Sequence, residues 1–154
     1  MSNFLYAVER EVAHPIGDLW AAWTDATQLE MWYHPTVLSC VPGLTVSDAR
    51  VGGLWTVAVD VPMNDFVAYF FGEYAVVEPM SRIEHSLHYT QSREEFAARD
   101  MTTESHHIVL EFDSRGDRSW VKFSQFGEMP EDQIEQTQAG MESYLDSLES
   151  FLAR

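Results

Sequence analysis

Residues 130–152 read PEDQIEQTQAGMESYLDSLESFL, and this stretch decides the fold. Ile134, Met141, Leu145, Leu148 and Leu152 recur on one helical stripe, with Tyr144 and Phe151 at its edges. Glu131 and Asp132 put negative charge where a helix N-terminus favours it. A long helix with one apolar stripe needs a surface to cover it. The rest of the chain offers one of sufficient size, because most of it alternates with the period of two expected of strands.

Residues 4–12 read as a strand. Pro15 opens a short helix carrying Ile16, Leu19, Trp20 and Trp23 on one face. Asp25, with Gln28 three residues on, caps a second short helix that turns Leu29 and Trp32 inward and stops at Pro35. Thereafter Trp55, Val57, Val59 and Val61 share a face, and Phe66–Glu78 is a long apolar strand. Ile83, His85, Leu87 and Tyr89 share another face, as do His106, Ile108, Leu110 and Phe112. Ser114-Arg115-Gly116-Asp117 is a tight turn leading to Val121, Phe123 and Gln125. Between the strands ending at Thr90 and beginning near Glu104, residues 91–103 are too long for a simple hairpin. Ser92 with Glu95 marks a short helix or ordered flap there. The order is strand, two short helices, six strands and one long helix. That is α+β: a sheet gripping the C-terminal helix on its concave face. Even composition and the absence of a linker or repeat predict one domain over residues 1–154.

The charge narrows the function. Nine Lys and Arg stand against 25 Asp and Glu, a formal net charge of −16, and Lys122 is the only lysine. Nucleic acid and anionic membrane surfaces are bound through clustered Lys and Arg, so neither is expected as a partner. A phosphorylated substrate is disfavoured for the same reason. The single cysteine, Cys40, permits no internal disulfide. With no secretory leader visible and no apolar run of spanning length, a cytoplasmic location is expected.

The order of several short motifs resembles a known family. Val12-Ala13-His14-Pro15 and Leu19-Trp20 are followed by Trp32-Tyr33-His34-Pro35, Gly52-Gly53-Leu54-Trp55 and Gly72-Glu73-Tyr74. Val77-Glu78-Pro79, Arg82-Ile83, Ser124-Gln125-Phe126-Gly127 and the Gly140 helix complete the set. Over nearly its whole length the chain resembles the START-like SRPBCC superfamily. Within it the chain is most similar to the branch homologous to the activator of the heat-shock chaperone ATPase, near the polyketide cyclases. The resemblance implies a helix-grip fold, a curved seven-stranded antiparallel sheet around the long helix, with an apolar cavity that takes hydrophobic molecules. Two residues depart from the family pattern: Met141 follows Gly140 where an aromatic is usual, and Tyr33 stands where a second Trp is usual. Both positions face the cavity in relatives.

His85 and His106 are the sharpest candidates for chemistry. Each lies on the apolar face of its strand. A register pairing Ile83 with Ile108 and Leu87 with Glu104 would set the two imidazoles face to face; the pair then reads as ligand-orienting groups, as satisfied core histidines, or as general acid and base. The pairs His85–His88 and His106–His107 point to opposite strand faces and cannot chelate locally, so no metal is expected, nor any cofactor. Trp32, Tyr33, Trp55, Tyr74, Tyr89, Phe123 and Met141 are the candidate apolar walls, and a buried tyrosine hydroxyl needs a partner. Gln125, on an apolar face, either anchors the structure or faces the ligand. A mid-helix glycine such as Gly140 costs about 1 kcal/mol against Ala and suggests a close approach by backbone or ligand. Cys40 reads as a structural thiol.

Three functions fit. The first is a module binding a hydrophobic or aromatic small molecule in the cavity. The second is a cyclase-, aromatase- or hydratase-like enzyme using the histidines. The third, implied only by the resemblance, is a chaperone-interacting module. A homodimer is compatible with all three.

Overall fold

The structure, a computed structural model, describes residues 3–154; Met1 and Ser2 of the expected 1–154 unit lie outside the described residues. The chain runs β1 (Asn3–Val12), α1 (Ile16–Thr24), α2 (Ala26–Trp32), β2 (Ser39–Cys40), β3 (Val46–Ser47) and β4 (Leu54–Val61). It continues through β5 (Phe66–Glu78), β6 (Arg82–Thr90), α3 (Arg93–Ala98), β7 (His106–Arg115), β8 (Arg118–Gly127) and α4 (Glu131–Leu152). The strands form one antiparallel sheet in the order β1-β8-β7-β6-β5-β4-β2, with the two-residue β3 also paired to β4. The curled seven-strand half-barrel and the gripped C-terminal helix are those expected from the sequence.

Local chemistry explains the helix starts. The Asp25 carboxylate accepts the Thr27 amide at 3.2 Å, and Ser92 Oγ accepts the Glu95 amide at 3.2 Å. Each satisfies an N–H that the first helical turn leaves without a partner. Between Pro35 and β4 the chain makes two short pairings, β2 and β3, where the count of six strands after the helices leaves one. At Gly72 a Cβ would sit 1.9 Å from the Ser86 carbonyl oxygen, so β5 passes β6 there only without a side chain.

The helix α4 divides into two unlike halves. In the second, Met141, Leu145, Ser147 and Leu148 are buried, and Leu145 and Leu148 reach 0% exposure. Ser147 Oγ donates to the His34 carbonyl at 2.7 Å, and the Thr36 amide donates to Ser143 Oγ at 3.0 Å. From β1, Arg10 meets Asp146 at 3.0 Å, Glu142 at 3.1 Å and also Glu149. In the first half only Ile134, Thr137 and Gly140 are even half-buried. A Cβ on Gly140 would meet no atom within 4 Å, so no backbone makes the close approach expected at this glycine.

The register of β6 against β7 also differs from the expectation. His85 pairs with Ile108, Ile83 with Leu110 and Leu87 with His106, two residues away from the register that would set the histidines opposite each other. A shift of two keeps both rings on the concave face but moves His85 one pair deeper. Glu104 falls before the strand begins. The fifteen-residue connection 91–105 left this offset free, because loop length does not constrain it as a tight turn would.

At that depth His85 belongs to the packed core. It is 2% exposed, its ring stacked on Trp55 at 4.5 Å and edge-on to Tyr74 at 5.9 Å. Its Nδ1 lies 2.7 Å from the Ser86 carbonyl oxygen, to which it donates. Burial disfavours the imidazolium and pulls the pKa from 6.5 to about 4.

Two predictions follow from this packing. Gly140→Ala should raise stability by about 1 kcal/mol, because it improves helix propensity and fills only open space; a urea midpoint at or below wild type would contradict it. For His85 the unfolded chain takes up a proton below pH 6.5 while the folded protein stays neutral until about 4, so stability should fall as pH drops through that window. The loss should approach about 3 kcal/mol, with buried His88 adding in the same direction. Urea titrations from pH 7.5 to 4.5 should give a shallower decline for His85→Phe; an unchanged decline would remove His85 as its source.

Candidate functional site

Where the first half of α4 has nothing apolar to bury but Ile134, a cavity of about 900 Å³ opens between that half and the sheet. Phe70 of β5, Leu87 and Tyr89 of β6, His106 of β7 and Gln125 of β8 form its wall. Ala98, Asp100, Thr103 and Glu104 on the β6–β7 connection make one rim, and Met129, Pro130, Gln133 and Thr137 at the start of α4 make the other. The volume is that of a site for a small molecule.

The β6–β7 connection reaches the rim because α3 is pinned on the opposite face of the sheet. Phe96 is 4% exposed and stacks on Tyr69 at 4.8 Å, inside a second apolar cluster with Ala58 and Phe71. His88, stacked on Phe71 at 4.8 Å, also holds Thr103 Oγ1 at 2.8 Å.

A chain of hydrogen bonds crosses the polar wall. Tyr6 Oη donates to Gln125 Oε1 at 2.5 Å, and Gln125 Nε2 donates to His106 Nδ1 at 2.7 Å. The other ring nitrogen, Nε2, donates to the Glu128 carbonyl at 3.1 Å. These partners assign the neutral Nε2–H tautomer to His106. Gln125 is 5% exposed, and both ends of its amide are used. It therefore ties β1 to β7 while also lining the cavity. Gly127 makes room for the imidazole: a Cβ there would sit 2.4 Å from His106 Cδ2.

Of the residues singled out in the sequence, the structure brings Tyr89, Glu104, His106 and Gln125 together around this cavity. It places Trp32, Tyr33, Trp55, Tyr74, His85, Phe123 and Met141 deeper, all of them buried. Trp23 meets Trp32 edge-on at 4.6 Å, and Tyr33 meets Trp55 at 5.4 Å and Tyr144 at 5.0 Å. Trp32 Nε1 donates to the Ala22 carbonyl at 2.7 Å, and the Tyr74 hydroxyl lies 2.7 Å from Ser47 Oγ. Burial pushes the Tyr74 phenol up to about 12. His85 and His106 do not face each other. The Cys40 thiol lies 3.3 Å from the Tyr33 carbonyl, and burial pushes its pKa up to about 12, which suits a structural thiol and not a nucleophile. Among the described residues no group of three or more His, Cys, Asp or Glu is placed to hold a metal ion.

Sequence reasoning missed Phe70, Leu87, Met129, Gln133 and Thr137 as wall residues. The available signal was the polar first half of α4, which has little to bury and so must leave space against a concave sheet. No helix of the described residues is long and apolar enough to cross a membrane.

Comparison with known proteins agrees with this architecture. Among curated proteins none matches the chain significantly. A solution structure of a Staphylococcus epidermidis protein is 25% identical, covers 99% of this chain and 91% of its own, and superimposes with a TM-score of 0.78. The crystal structure of an AHSA1 protein from Silicibacter pomeroyi is 17% identical, covers 96% of each chain and gives 0.79. A Chromobacterium violaceum protein, also 17% identical, covers 99% of each chain and gives 0.78. At family level, residues 13–153 match the Activator of Hsp90 ATPase homolog 1-like protein family. That match spans nearly the whole helix-grip fold, and the chain belongs to this family, a branch of the SRPBCC superfamily.

Proposed function

We propose that this chain, folded as one START-like domain over residues 1–154, binds a hydrophobic or aromatic small molecule in the cavity beneath the first half of α4. The observation that carries the reading is the cavity itself, about 900 Å³ and walled by Phe70, Leu87, Tyr89 and Met129. Apolar walls supply affinity through buried area, and a few fixed polar groups orient the ligand. His106 and Gln125 are those groups, held by Tyr6 and the Glu128 carbonyl. Glu104 stands at the rim. Tyr33, Trp55, Tyr74, His85, Phe123, Met141 and Trp32 form the rigid floor behind the cavity.

This reading is better supported than acid–base catalysis. Both ring nitrogens of His106 are engaged, and His85 is sealed between Trp55 and Tyr74 at a pKa that keeps it neutral. The chaperone reading rests on the family's description alone.

Wild-type protein should enhance the emission of the uncharged dye N-phenyl-1-naphthylamine, and protein purified without detergent should retain a small molecule in native mass spectra. Gly127→Ala, which drives a methyl group into the His106 ring, should weaken dye binding about tenfold while the far-ultraviolet spectrum stays native. Absence of both dye binding and a retained molecule would rule the cavity out as a binding site.

A further inference from the structure

The cavity wall is unbalanced in hydrogen-bonding chemistry. Most of its donors are already spent on the protein. Thr90 Oγ1 donates to Glu95, Thr103 Oγ1 to the Asp100 carbonyl at 2.9 Å, and Thr137 Oγ1 to the Gln133 carbonyl at 2.9 Å. Gln125 donates to His106, and His106 donates to the Glu128 carbonyl. Among the described residues, only the side chains of Ser105 and Gln133 and the Tyr89 hydroxyl, which accepts from Gln91 Nε2 at 2.8 Å, remain as donors on the wall.

The acceptors are in surplus. Glu95, Asp100, Glu104 and Glu128 all line the cavity, and no Lys or Arg does. None of these four carboxylates forms a salt bridge among the described residues. Among the described residues Glu128 takes one hydrogen bond, from Asn3 Nδ2 at 3.1 Å, and the Glu104 carboxylate takes none. The nearby guanidinium of Arg99 is turned away onto the Phe96 ring, 5.5 Å from its centroid. The N-terminus of α4 carries partial positive charge that would attract an anion, but Glu131 and Asp132 in its first turn already answer it.

At the mouth, Phe70 and Tyr89 stand with ring centroids 5.4 Å apart, and Tyr89 is 52% exposed. Aromatic faces lining the same cavity as carboxylates without a cationic partner are a setting that attracts a cation.

Resting on the cavity reading, we propose that this site selects ligands bearing a positive charge: an apolar or aromatic body ending in an ammonium group. The apolar body fills the space along Leu87 and Met129. The ammonium sits at the mouth, over the Phe70–Tyr89 pair and within reach of Glu104 and Glu128. An anionic ligand of the same shape meets four carboxylates and few donors, and is rejected. The cavity defines the site, and the carboxylates set its sign.

Three probes sharing one ring system separate charge from shape: 2-naphthylmethylamine, 2-naphthylmethanol and 2-naphthoate. By calorimetry at about 20 mM NaCl the amine should bind about tenfold more tightly than the alcohol, and the acid more weakly than either. The amine's advantage should shrink to about threefold or less near 0.2 M NaCl, as rim charges are screened. The double variant Glu104→Gln/Glu128→Gln should cut the amine-to-alcohol ratio about threefold at low salt. If amine and alcohol bind equally, or the acid binds best, charge selection is wrong and the cavity reading stands. If none of the three binds while the dye does, this inference falls and the cavity reading stands; if the dye and a retained molecule are absent as well, both fall.

Discussion

The architecture depends on how α4 is held. Its second half is clamped from three directions: Leu145 and Leu148 are fully buried, Ser147 bonds the His34 carbonyl, and Arg10 gathers Glu142, Asp146 and Glu149. Each exposed ion pair contributes little alone. Their effect here is geometric, because one guanidinium meets three carboxylates spaced over two turns and fixes the helix over β1. The first half has no comparable grip. Ile134 is its only large aliphatic side chain before Met141, so the same helix that closes the core at one end leaves a roof over empty space at the other.

The deep end is filled by rings. Trp23, Trp32, Tyr33, Trp55 and Tyr144 pack edge to face, an arrangement favoured by their quadrupoles. His85 joins this stack as a neutral aromatic more than as a base. A pocket centred on these residues would have to displace close-packed side chains, and interiors resist that. The space for a ligand lies instead toward the start of α4, where the polar half-helix and the β6–β7 connection fail to meet.

Much of this was legible in the sequence, for definite reasons. Alternation assigned faces correctly for Trp55, His85, Ile108 and Phe123, because a strand side chain can point only one of two ways. Asp25 and Ser92 announced their helices, because capping needs a short acceptor at one position. Depth was not legible. Face-sharing says that Trp32, Tyr74 and Tyr89 all look inward, but not that Trp32 and Tyr74 are sealed while Tyr89 stands at the mouth. The offset of β6 on β7 was invisible for a related reason: a shift of two preserves every face and changes only which pairs meet. Gly140 was ambiguous because a glycine in a helix can mark a close backbone, a ligand or an unpacked face, and the structure removes only the first.

The wall that does face the cavity is fixed before any ligand arrives. The Tyr6–Gln125–His106 chain spans three strands, β1, β8 and β7, and ends on a backbone carbonyl. Each link sets the orientation of the next: the phenol can only donate to the Gln125 oxygen, which turns the amide nitrogen to His106 and leaves the imidazole proton on Nε2. A wall ordered in this way loses little conformational entropy on binding. It also commits its donors inward, so what it presents to a ligand is apolar surface and acceptor oxygens. In a chain with 25 acids and nine basic residues, that same imbalance extends over the whole molecule, and the field at the cavity mouth adds to the local one. The acidic composition therefore bears on which ligands can enter as well as on solubility.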